Sequence, residues 1–181
     1  MNYFEYDTAH ICKEHRQLFK ELFQCLDLDK VVFVGGIADY LNLRPDFEMP
    51  INDIDLTFRS KSHITAFTQR YPMKRHESIY SNDALHVFTG GCTINGRHIH
   101  FDFFQQDSVF IRPVAKSELL GQQVLHTSFV GMQAFHNEYI ALMSSDEQAE
   151  NYEWKRLYKH SKKASLYNLL SYRKEKELEI V

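Results

Sequence analysis

Ile11, Leu18, Phe19, Leu22, Phe23 and Leu26 recur at helical spacing through residues 9–26, with charged side chains between them. That pattern predicts an amphipathic helix. "KVVFVGG" follows, a short β-branched and aromatic run stopped by Gly35 and Gly36, which predicts a buried strand and a tight turn. "IADYLNL" resumes the helical pattern as far as Pro45, and "RPDFEMP" forms a loop between two prolines. Ile51, Ile54, Leu56 and Phe58 then mark a strand over 51–58, and "KSHITAFTQRY" a short helix ending near Pro72.

In the second half, Asn95-Gly96 separates two alternating runs within residues 85–104. This dipeptide suits the positive φ angles of a two-residue turn, so a β-hairpin is expected. After Pro113 the pattern predicts helices near 116–125, 129–145 and 147–172. Strands interspersed with helices, then a helical tail, imply an α+β fold: a mixed β-sheet flanked by helices with a C-terminal helical subdomain. The expected division is residues 1–112 and 113–181.

The chain's 181 residues suffice for one full domain, and 14 Phe and 10 Tyr promise a sizeable core. Only seven Gly and four Pro argue against long linkers. Cys12, Cys25 and Cys92 show no C-x-x-C spacing, which points to a reducing compartment rather than a disulfide framework or a cysteine zinc site. The N-terminal stretch lacks an apolar segment of signal-peptide type, and no run approaches a membrane span. A cytoplasmic location, with no membrane partner, is therefore expected.

Two carboxylates interrupt the strand "INDIDLTF". Asp53 and Asp55, two residues apart, share one strand face. Their mutual repulsion would be relieved by a hard divalent cation, which prefers oxygen ligands; a solvent-facing pair is the plain alternative. Farther on, Ile99, Phe101 and Phe103 form one face of a strand, and His98, His100 and Asp102 the other. The strand entering a helix through Gly35-Gly36 offers backbone N–H groups to an anion, although such a turn is often only a turn.

Val34-Gly35-Gly36, then Asp53-Ile54-Asp55-Leu56, then a single Asp102 on a later strand resembles the nucleotidyltransferase superfamily that shares the DNA polymerase β fold, in its small bacterial, toxin-like or small-molecule-modifying forms. The resemblance spans about residues 30–105. It implies that Asp53, Asp55 and Asp102 are catalytic and ligate two Mg²⁺ ions (or Mn²⁺), and that Gly35 and Gly36 cradle the phosphates of a nucleoside triphosphate such as ATP. It further implies transfer of a nucleoside monophosphate to an acceptor hydroxyl on tRNA, protein or a small molecule, with release of pyrophosphate. The gap from Gly36 to Asp53 is longer than in compact members, and Gly36 stands where others carry Ser, so no hydroxyl is available there.

Charge refines this reading. The formal net charge of −3 gives no global case for nucleic acid, yet the stretch from Lys155 to Lys174 is basic and free of carboxylates. The resemblance makes Lys155, Arg156 and Lys159 candidates for neutralising the triphosphate, with a solvated face or a docking surface for tRNA as alternatives. Trp154, Leu157, Ala164 and Leu169 are expected to form the apolar stripe of that helix. A metal-dependent phosphodiesterase or nuclease, or a non-catalytic nucleotide- or partner-binding member of the fold, also fits clustered carboxylates.

Overall fold

The structure is a computed structural model that describes residues 2–46, 50–76, 85–106, 112–144 and 151–179, without the side chains of 76, 85, 151–153 and 174–179. The chain divides into two compact units, Met1–Ser128 and Phe129–Val181.

The first unit opens with two helices where one was expected: α1 (Tyr3–His10) and α2 (Lys13–Cys25). Ile11 and Cys12 are extended between them, and the Ile11 side chain turns into the core. The guanidinium of Arg16 donates to the Ile11 carbonyl at 2.9 Å, satisfying a group the helix end leaves open. Leu18, Phe19 and Leu22 are buried on α2, as the spacing predicts, and His15 is buried with them.

Next come β1 (Val31–Phe33), α3 (Gly35–Leu43), β2 (Asp53–Phe58), a short 3-10 turn (Lys61–His63) and α4 (Thr65–Arg70). Gly35 and Gly36 are thus the first residues of α3 rather than a separate turn. The proline-bounded loop lies partly outside the described residues, at 47–49. β3 (Lys74–His76), β4 (Leu85–Ile94) and β5 (Arg97–Gln106) complete this stretch. The β4–β5 hairpin turns at Asn95 and Gly96, with φ of 50° and 80°, the mirror-image turn that their sequence favours.

Residues 116–125, expected to be helical, are instead the hairpin of β6 (Val114–Leu119) and β7 (Gln122–Thr127). Its turn is Leu120-Gly121, with φ of 49° and 82°. Helix-forming Lys, Glu, Leu and Gln dominate the stretch, but sheet pairing overrides that propensity. The hairpin joins the sheet, so the two compact units meet at Ser128–Phe129, beyond the expected division after residue 112.

The seven strands lie in the order β3-β4-β5-β2-β1-β7-β6. The pairs β2–β5 and β1–β7 are parallel and the others antiparallel, so the sheet is mixed. The core joins one face of the sheet (Phe33, Ile54, Leu56, Phe58, Ile99, Phe101, Phe103) to α2, α3 and α4. Phe67 of α4 anchors it, its ring centroid 5.3 Å from Phe101 and 5.4 Å from Phe103. The fold is α+β.

In the second unit α5 (Phe129–Ser144) and α6 (Asn151–Glu179) run antiparallel. Gln133 donates to Asn168 at 2.8 Å, and the Phe129 ring meets Tyr167 with centroids 4.7 Å apart. The start of the helix expected at 147–172 falls outside the described residues, at 147–150. Of the apolar stripe expected on α6, Ala164 is buried and Leu157 half-buried, whereas Trp154 and Leu169 are 55% and 47% exposed and Tyr167 is buried instead. Apolarity alone would place the single Trp inward. Tyr167 takes that position because its ring packs against Phe129 and His136 of α5.

Candidate active site

The sheet has a second face, reached by the alternate residues of β2 and β5. Ile54, Leu56 and Phe58 enter the core, so Asp53 and Asp55 are turned to the other side, each half-buried. β5 behaves alike: Ile99, Phe101 and Phe103 are fully buried, His98 and His100 exposed, and Asp102 half-buried. The parallel register sets Asp53 opposite His100 and Asp55 directly opposite Asp102. Three carboxylates separated by up to 49 positions in sequence therefore occupy adjacent places on one face of two neighbouring strands.

Gly35 closes the site from the β1 side. The backbone N–H of Val34 donates to the Asp55 carbonyl at 3.0 Å, which brings the start of α3 against β2. Gly35 has a φ of +58°, and a Cβ built there would lie 2.2 Å from Asp55 Oδ2. Both facts require glycine at this position. At Gly36 a Cβ would stand 3.9 Å from Asp53 Oδ1, ordinary contact. The strand–glycine–helix junction and the two aspartates are thus one local assembly.

On the β4 side, the Thr89 hydroxyl donates to Asp102 Oδ1 at 2.7 Å, and His100 Nε2 stands 3.3 Å from the same oxygen. Thr89 is opposite Asp102 in register, a neighbour that sequence reading missed; the alternation of β4 places it once the hairpin register is known. Gly91 makes room for the His98 ring, whose Cε1 and Nε2 would each be 2.7 Å from a Cβ there. Arg59 is exposed beyond the end of β2, its carbonyl accepting from Gln105 at 3.5 Å.

Three hard oxygen donors on one strand pair, held by a glycine that leaves no room for a side chain beside Asp55, fit a divalent cation in their chemistry. In the orientations described, no three His, Cys, Asp or Glu side chains among the described residues converge on one point. Asp102 instead faces Thr89 and His100, as expected of a carboxylate among like charges with hydrogen-bonding neighbours at hand.

Lys155, Arg156 and Lys159 lie on α6, in the other compact unit, where Lys155 and Lys159 are exposed and Arg156 is half-buried. The sheet unit by itself assembles Gly35, Gly36, Asp53, Asp55 and Asp102.

These features define an α+β protein whose mixed sheet carries clustered carboxylates beside a glycine-led helix. No family model and no curated protein matches the chain. Solved structures do. A "putative nucleotidyltransferase" from Thermotoga maritima superposes with a TM-score of 0.52 at 14% identity, covering 75% of this chain and 91% of that one. JHP933 from Helicobacter pylori is similar at a TM-score of 0.41 and 12% identity, over 97% of this chain and 96% of its own. The first likeness shows that this chain has a nucleotidyltransferase-like fold. Among the described residues, no helix is long and apolar enough to cross a membrane.

Proposed function

We propose that this protein is a nucleotidyltransferase that moves a nucleoside monophosphate from a nucleoside triphosphate to an acceptor hydroxyl. The observation that carries the reading is the register of β2 and β5, which sets Asp55 opposite Asp102 while Gly35 leaves no side-chain volume beside Asp55. A structural sheet gains nothing from stacking carboxylates on adjacent strands, since like charges directly opposite are destabilising.

In this reading Asp53, Asp55 and Asp102 hold divalent magnesium. When bound, the metal supplies charge neutralisation for the attacking and leaving oxygens of an in-line displacement. The N–H groups at the start of α3 receive the triphosphate, where the glycines let it approach the backbone and the helix dipole favours negative charge. The acceptor oxygen forms its bond to the α-phosphorus as the bond to the β-phosphate's bridging oxygen breaks, and pyrophosphate leaves. Asp102, with His100 3.3 Å from it, takes up the acceptor's proton in this reading.

The test is incubation with labelled nucleoside triphosphates, Mg²⁺ and separated RNA, protein and metabolite fractions. Label should enter one fraction, and Asp55→Asn should reduce transfer by roughly 100-fold or more, the scale on which charge-stabilising groups act. Asn keeps the shape and the strand, so the far-ultraviolet spectrum should not change. Undiminished transfer by Asp55→Asn removes the assignment.

A further inference from the structure

Beyond Asp102, away from Gly35, a groove of about 390 Å³ is lined by Lys74, Arg75, Thr89, His100 and Asp102. Its floor follows from strand register. Lys74 is opposite Thr89, Thr89 opposite Asp102, and Asp102 opposite Asp55, one row crossing β3, β4, β5 and β2. Residues directly opposite share a face, so Lys74 stands on the carboxylate side, about 10 Å from Asp102 at the usual strand spacing. Lys74 is exposed and makes no ion pair among the described residues. Arg75 meets the imidazole of His86 at 2.8 Å and no carboxylate among the described residues.

We infer that this groove binds the phosphate monoester of a small hydroxyl-bearing molecule, with Lys74 as the phosphate's partner. The inference deepens the nucleotidyl-transfer reading, on which it rests for calling that molecule the acceptor. Gly35 and Gly36 lie across β2 from the groove, so a triphosphate held there leaves the groove to a second substrate. The charges also orient the guest. Asp102 repels a phosphate and accepts a hydroxyl, whereas Lys74, two strands away, attracts the phosphate. The volume suits a small ligand, and among the described residues the two basic side chains of the lining provide no track for a long polyanion. Charge on an edge strand also discourages edge-to-edge pairing, but that role needs no cavity in line with carboxylates.

The test is a ¹H–¹⁵N titration of the full chain, without nucleotide or added metal, using glucose 6-phosphate, inorganic phosphate and glucose as probes. Both phosphates should shift the amides of Lys74, Thr89 and His100, and glucose should shift none of them. Lys74→Glu should weaken the binding of glucose 6-phosphate by about tenfold or more, the worth of one charge-assisted hydrogen bond. Lys74→Ala should lie between that variant and the native protein. Lys20→Glu, an equal charge change on exposed α2 surface, should leave binding unaltered. Absence of shifts at those amides, equal shifts with glucose, or equal weakening by Lys20→Glu overturns the inference. Because the readout is binding, a failed transfer assay with intact phosphate shifts removes the enzymatic reading alone, and the converse removes the groove alone.

Discussion

Gly35 carries two constraints at one atom: a left-handed backbone and contact with Asp55 where a side chain would begin. Either alone disfavours any other residue. Gly35→Ala combines about 1–2 kcal/mol of backbone strain with a forced displacement of the Asp55 carboxylate. We expect a lower denaturation midpoint and loss of nucleotide transfer together. Gly36→Ala meets only ordinary contact with Asp53 and should be tolerated in stability. Equal midpoints for the two variants in urea denaturation would refute this contrast.

At the scale of elements, the β6–β7 hairpin depends on a polar cluster assembled from three distant segments. Asp7 of α1 is fully buried and is ion-paired to Arg44 at the end of α3. It also accepts from the Tyr40 hydroxyl at 2.8 Å and from the backbone N–H of Leu120 at 2.8 Å. Arg44 in turn donates to the Glu118 carbonyl. Burial, with the hydrogen bond to Asp7, pushes the Tyr40 phenol's pKa up, so it remains a donor. Asp7→Ala leaves the Arg44 charge buried and the Leu120 N–H without this acceptor. Breaking such a pair typically costs about 3–5 kcal/mol, and a loss of that size is expected in chemical denaturation. Amide exchange should rise first in residues 114–127. A cost under 1 kcal/mol, or protection unchanged in the hairpin, would show that the turn holds itself.

For the whole molecule, pH enters through buried imidazoles. His126 donates from Nδ1 to the Thr127 carbonyl at 2.8 Å and accepts the Ser117 hydroxyl at Nε2, also at 2.8 Å. Burial holds its pKa below the usual 6.5, and the charge of Arg44 acts the same way. Burial likewise lowers His15 on α2. The unfolded chain then binds protons at a higher pH than the native one. Stability is therefore complete above about 6.5 and falls as pH drops toward the native pKa values. Thermal melts at pH 7.5, 6.5 and 5.5 should show this decline, and His126→Gln should make it shallower. A midpoint that rises on acidification would contradict the assignment.

Whatever depends on neighbours along the chain is legible in the residue pattern. Alternation put Asp53 and Asp55 on one strand face and His98, His100 and Asp102 on another. Asn95-Gly96 fixed a turn, and the spacing of α2 fixed its buried stripe. Tertiary structure decided what depends on distant partners. Only strand register made Asp55 the neighbour of Asp102, added Thr89 to the site and aligned Lys74 with both. Pairing with β1 and the Asp7–Arg44 cluster, both more than 70 residues away along the chain, made a hairpin of a helix-forming stretch. Local propensity is worth tenths of a kcal/mol per residue, so several buried hydrogen bonds from elsewhere in the chain outweigh it.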